Sequence, residues 1–338
     1  MREELITSGR MNPNIDPILH VWHWSIPLYL FLGGLAAGLL FFAAFRTLTG
    51  DDKKYGTSVK IGPIIAFAAI VVGLMALLYD LNHPLYFWQL YTTIRIVSPM
   101  SWGAWTLLIM VPLNLIWIFS YLKEILPVNN IKINFLKKII SWVTVSSENI
   151  TQNWEWKHKM VKDFEKFVQN NRKPWAWSII ILAVILGVYT GILLSAFNAR
   201  PLWNTSILGP LFLTSGLSTG AALIMLITKD HNERRSYSKI DILLIIIELF
   251  FITHLFMGFQ AGSQVNVEAA YYFLGGEFTV TFWVNVVILG LAIPAILEVL
   301  ELLNFKVPIY VPGLLIIWGG LAFRFIMVDA GQVIRYLY

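Results

Sequence analysis

Apolar runs of about twenty residues recur from one end of this chain to the other, and that recurrence decides what it can fold into. Eight runs can be traced, over about 22–45, 61–82, 102–122, 175–198, 206–228, 239–260, 278–301 and 309–330. A helix of that length crosses a bilayer core of about 30 Å, and inside lipid a helix satisfies its own backbone. Little is left over for a soluble domain. The chain is 57% hydrophobic and 13% charged, about half the charge of a soluble protein. The expected fold is an all-α integral membrane protein with eight transmembrane helices. The chain has no cysteine, so it cannot ligate an iron–sulfur cluster through thiolates or form disulfides. Any such redox centre belongs to a partner. No basic region, apolar core and small-residue cleavage site precede the first span, so no cleaved signal peptide is expected.

The basic residues set an orientation. One set of loops holds Arg46, Lys53, Lys54 and Lys60, then the lysines of the long third connection, then Lys229, Arg234, Arg235, Lys239 and Lys306. The other set holds only Arg2, Arg10, Arg95, Arg200 and Arg335. Both termini are therefore expected on the outer side of a bacterial or archaeal cytoplasmic membrane. In the third connection, Ile131, Phe135, Ile139, Ile140 and Trp142 alternate with lysines at helical spacing. An amphipathic helix on the cytoplasmic leaflet has that pattern.

Gly34-Leu35-Ala36-Ala37-Gly38 in span one resembles Gly216-Leu217-Ser218-Thr219-Gly220 in span five. Both are small-residue faces that let helices approach closely. Each opens a set of four spans, which suggests duplication into two four-helix bundles. The first half is 1–174, completed by span four at 175–198; the second is 199–338.

Ionisable groups inside spans are costly and are read as functional by default. His23, Asp80 and His83, Arg200, Glu277, Arg324 and Asp329 all fall at or near the outer face. Deeper lie Glu248 and His254 in span six and Tyr189 in span four, candidates for a proton relay. Glu298 and Glu301 fall at the cytoplasmic boundary, where they read as structural. Bis-histidine haem needs facing imidazoles at matched depth; only His23, His83 and His254 lie near the spans, and no haem is expected.

Several short segments then carry a resemblance. They are Trp22-His23-Trp24 with Tyr29 to Gly38; Asp80-Leu81-Asn82-His83-Pro84 with Phe87-Trp88; Ser98-Pro99-Met100-Ser101-Trp102-Gly103; Tyr189-Thr190-Gly191; Arg200-Pro201-Leu202-Trp203; Ser215 to Gly220; and Arg324. In order, and over nearly the whole chain, they resemble the NrfD-like integral membrane subunits, which include the membrane anchor of polysulfide reductase. The resemblance implies two four-helix bundles without haem. It also implies electron exchange between a membrane quinone and a docked ferredoxin-like iron–sulfur subunit, which often serves a molybdopterin catalytic subunit. Iron–sulfur clusters and molybdopterin would then lie only in the partners. The quinone would lie against the first-span polar residues, the Asp80 segment and the Ser98–Gly103 segment.

The resulting assignment is a quinone-reactive anchor of a respiratory oxidoreductase, of polysulfide or sulfur reductase type, working with menaquinone or another quinone. Quinone binding is assigned to His23, Tyr29, Asp80, His83, Trp88 and Ser101. Proton transfer is assigned to Asp80, Tyr189, Glu248, His254 and Arg324, and partner docking to Arg200, Glu277 and Asp329. No metal site and no residue acting on the terminal substrate is expected. The competing reading is an ion- or proton-translocating subunit with no quinone site of its own.

Overall fold

The computed structural model describes residues 21–125, 144–145, 155–308 and 310–334. The amphipathic stretch expected over 131–142 lies outside them. Among the described residues, eight helices are long and apolar enough to cross a membrane. They are α1 Ser25–Leu48, α2 Thr57–Asp80, α3 Pro99–Ser120, α5 Arg172–Ser195, α6 Leu208–Ile227, α7 His231–Gln260, α9 Thr279–Leu302 and α10 Tyr310–Val333. Among the shorter helices are α4 Lys159–Asn170 in the third connection and α8 Gln264–Leu274 between α7 and α9. The expected all-α, eight-span architecture is therefore present.

Small residues decide the centre of the molecule. In α1, 78% of the apolar window is buried, against 28% in α9, so α1 is the hub and α9 the periphery. Helix α1 packs on α2, α5, α6 and α10. Its glycines meet those of α6. A Cβ added to Gly216 would lie 2.8 Å from the Gly34 carbonyl oxygen, and one added to Gly220 would lie 2.8 Å from the Gly38 carbonyl carbon. Backbone therefore touches backbone, which only glycine permits. The two similar motifs are each other's packing partners. Helix α1 is thus shared across the division drawn at 174–199.

The chain alternates direction, so Ser25, Asp80, Pro99, Ser195, Leu208, Gln260, Thr279 and Val333 fall at one end. We call it the near end, and the other the far end. At the far end α4 is strongly amphipathic and is pinned to the end of α3: Lys123 Nζ lies 2.7 Å from Glu165 Oε2, and Glu165 is buried. Helix α9 is irregular. Residues Trp283–Ala292 wind as a π-helix and are followed by Pro294. Proline has no N–H to give to the preceding turn. Gly290 lets this wide segment press on Gly319 of α10: a Cβ on Gly290 would lie 2.6 Å from the Gly319 Cα.

Candidate functional site

A cavity of about 310 Å³ opens at the near end among α1, α2, α3 and α5. Its polar lining is Tyr29, Asp80, Tyr91 and Tyr189; the rest is apolar, including Trp22, Leu77, Met100 and Leu107. Local sequence explains the seating of the two deepest phenols. Gly73 of α2 lies against the Tyr29 ring, and a Cβ on Gly103 of α3 would collide with the Tyr189 ring. The Ser98–Gly103 segment thus supplies the flat surface that lets Tyr189 reach the cavity. Tyr29 and Tyr189 face each other there, with Tyr91 near Tyr29. Asp80 is half-buried, and its Oδ1 accepts a 2.6 Å hydrogen bond from Ser25 Oγ. Tyr91, in the connection that roofs the cavity, has its phenol pushed up from the usual tyrosine value by burial. It remains a donor near neutral pH.

The rim is fastened by side-chain to backbone bonds. Gln332 pairs with the Trp22 backbone through two bonds of 2.9 Å, tying the start of α1 to the end of α10. Arg200 is buried and donates to the carbonyls of Gln332 (2.9 Å) and Ile334 (3.4 Å). Trp203 donates 2.8 Å to the Met327 carbonyl and stacks on Trp22. The Arg200–Trp203 segment is therefore a clamp on α10. Burial leaves Arg200 little surface to offer a docked subunit, whereas Glu277 and Asp329 are exposed at the near end.

The residues expected to bind quinone do not all converge. Tyr29 and Asp80 line the cavity. His83 and Ser101 line a separate, shallower hollow of about 460 Å³ in the α2–α3 connection, which shares Leu81, Leu90 and Met100 with the cavity. There Ser101 is buried, and its Oγ accepts from the Arg95 backbone N–H at 3.1 Å. His23 and Trp88 are exposed and line neither space. Tyr189, expected only to transfer protons, lines the cavity as well. Tyr91 gives no sign of itself in the sequence, because it sits between spans, where hydropathy carries no depth signal.

The deeper residues also divide. Glu248 (2% exposed) and Arg324 (1% exposed) come together around Ser215: Arg324 donates to Ser215 Oγ, to the Phe212 carbonyl at 3.0 Å and to the Gly320 carbonyl at 3.3 Å. Glu248 faces the same serine and the same guanidinium. His254 is exposed on a different face of α7, its ring tilted against Phe250 and hydrogen-bonded to the Phe250 carbonyl at 2.9 Å. It stands apart from Glu248. Glu298, expected at a wetted boundary, is instead fully buried, and Asp241 beside it is too.

Comparison with known proteins gives one consistent picture. A family model described as "Polysulphide reductase, NrfD" matches residues 11–335. A polysulfide reductase chain from Wolinella succinogenes is 31% identical over 92% of this chain and 94% of its own length. Protein NrfD of Escherichia coli is 29% identical over 93% of this chain and 95% of its own. A selenate reductase subunit from Mesobacillus selenatarsenatis is 24% identical over 60% of this chain and 47% of its own.

Proposed function

Because the chain belongs to the polysulphide reductase NrfD family, we propose that it is the quinone-reactive membrane subunit of a respiratory oxidoreductase. Its partners would be a ferredoxin-like iron–sulfur subunit and a molybdopterin subunit, as in a polysulfide or sulfur reductase, in a bacterial or archaeal cytoplasmic membrane. The relatives named as reductase components support this assembly.

The observation that carries the reading is the cavity lined by Asp80 and three tyrosines. Small-molecule pockets hold about 300–1,000 Å³ and are mostly apolar with a few convergent polar groups. A cavity of about 310 Å³ suits one quinone head group with its tail outside. When bound, a menaquinol supplies two electrons and two protons. The chain's own residues then have separable tasks. The phenols of Tyr29, Tyr91 and Tyr189 donate hydrogen bonds to ring oxygens and orient the ring. Asp80, held by Ser25, accepts a proton and passes it to water at the near end. The apolar walls exclude bulk water from the ring. Electrons leave through the partner, docked at the near end where Glu277 and Asp329 are exposed, because no cysteine of this chain can ligate a cluster. The near end would face outward, as the loop charges imply.

The test is photo-crosslinking of the chain in lipid nanodiscs with an azido-menaquinone. Saturable label in the peptides holding Tyr29, Tyr91 or Tyr189, competed by menaquinone, is expected. Label that is not competed, or that falls elsewhere, removes the site. The competing reading, ion translocation without a quinone, draws on the line of buried acids in the second half and predicts no saturable label.

A further inference from the structure

Helix α4 has three faces, set by its 100° turn per residue. Glu165 and Val168 fall on the first and are buried. That face is fastened to the end of α3: Glu165 meets Lys123, and Gln169 donates to the Ser120 carbonyl at 3.5 Å. The second face is a stripe of Met160, Phe164 and Phe167, which are 85%, 44% and 54% exposed. Their spacing of four and three residues makes the stripe continuous. The third face carries Lys159, Lys162 and Lys166, with Asp163 between it and the stripe. The stripe runs into the spans. The Phe164 ring lies 5.6 Å from that of Phe119 in the last turn of α3, and the Phe167 ring 6.5 Å, edge-on, from that of Trp175 in the first turn of α5. Trp177 is exposed beside them, where an indole marks a membrane boundary.

Charge says what covers this stripe. Residues 157–173 hold six basic side chains against two acids. Lys162 is taken by Glu155, and Arg172 faces Asp52 and Glu124. Lys157, Lys159, Lys166 and Lys173 are exposed and make no ion pair among the described residues. A helix with an aromatic stripe beside a lysine face lies in the plane of a membrane surface, and free lysines there attract anionic headgroups. We propose that α4 lies in the far leaflet, with Met160, Phe164 and Phe167 among the acyl chains, and that Lys159, Lys166 and Lys173 bind the phosphates of anionic phospholipids. Lys159 and Lys166 stand two turns apart on one face, about 10 Å, so each can reach its own headgroup. This segment is separate from the stretch over 131–142. The proposal rests on the membrane-spanning fold and not on the quinone reading.

The chain has no cysteine, so one introduced cysteine takes a label cleanly in the full-length protein. The first test places a spin label at Met160→Cys or at Asn170→Cys, which is exposed outside the stripe, in nanodiscs of phosphatidylcholine and phosphatidylglycerol. Oxygen, which dissolves in acyl chains, should relax the label at 160 more than a water-soluble nickel chelate does, and the order should reverse at 170. Equal chelate access at the two positions overturns the interfacial placement. The second test puts a fluorophore at Met160→Cys and compares quenching by brominated phosphatidylglycerol and brominated phosphatidylcholine. The anionic lipid should associate about fivefold more strongly for each lysine engaged. That preference should fall towards unity in 1 M salt, where the screening length is about 3 Å, and in the Lys159→Gln/Lys166→Gln/Lys173→Gln variant. The salt arm needs no lysine substitution, so a variant that fails to fold does not void the result. Equal quenching by the two lipids overturns the headgroup site, and so does a preference that survives both salt and the lysine replacements. Loss of lipid quenching at position 160 when the chain is purified with its partner subunits would assign the stripe to a protein and overturn the proposal.

Discussion

The α1–α6 crossing gives a stability experiment whose sign can be worked atom by atom. Gly34 and Gly216 touch, yet alanine at the two positions meets different surroundings. At Gly216 the new methyl would lie 2.8 Å from the Gly34 oxygen, 3.0 Å from its carbonyl carbon and 3.1 Å from its Cα. Ordinary contact begins near 3.4 Å, so two backbones must part by about half an ångström. Neither can swing aside as a side chain would. Overpacking of this kind costs about 1–3 kcal/mol. At Gly34 the methyl would lie 3.4 Å from Arg324 Nη2 and 3.5 Å from the Gly216 Cα, which is ordinary contact. Alanine there should be neutral, or stabilising by up to about 1 kcal/mol through helix propensity. The assay is reversible unfolding of the full chain in mixed micelles, titrated with dodecyl sulfate. Gly216→Ala should lose about 1–3 kcal/mol relative to Gly34→Ala. Equal stabilities for the two variants would refute the backbone-contact argument. The displacement should also disturb Arg324, because Ser215 and Phe212 both ride on α6.

Other expectations follow from the site. Asp80→Asn should lower quinol oxidation about 10²-fold, the low end for losing a positioned proton-transfer group, with complex assembly checked by co-purification. His23→Ala should leave quinol oxidation within about twofold in the same assay, because His23 is exposed and lines neither the cavity nor the hollow beside it; a loss as large as that of Asp80→Asn would return it to the site. Trp203→Phe should destabilise by about 0.5–1.5 kcal/mol, since it removes the indole N–H that Met327's carbonyl accepts in joining this segment to α10; micelle unfolding reads it. Burial raises the Tyr91 phenol in the folded protein. Its contribution is therefore whole below the unfolded value of 10.0 and is lost as pH climbs through the raised value. Alkaline titration should show tyrosinate absorbance late in the native protein, and Tyr91→Phe should remove one tyrosine from that late component.

Depth along the membrane was legible in the sequence, and direction around each helix was not. The eight spans emerge because apolar length is a one-dimensional signal, and their observed ends differ from the traced ones by a few residues, except in α7. That helix begins at His231, eight residues before the traced span, because its first turns are polar and still helical. Tyr29 and Asp80 stand out by motif and depth, and both reach the cavity. His23 matches their depth, but it precedes the helix and is exposed. Glu298 has the depth of a boundary acid, yet its helix face turns it inward against Asp241. The two glycine motifs are recognisably alike, but likeness carries no statement of contact; the crossing that joins them depends on all the neighbouring helices.

The wide turn of α9 bears on how the buried acid is addressed. Each i→i+5 turn takes up one more residue than an i→i+4 turn. The direction of Glu298 is therefore fixed by how many residues Trp283–Ala292 contains as well as by which they are. Removing one residue there, with the flanking helix held in place, would rotate everything after it by about 100°. The carboxyl would leave Asp241 for another side of the helix, although its chemistry and depth would hardly change. In this segment chain length acts as a dial, and a relative one residue shorter would have to carry its acid at a different place to meet the same partner.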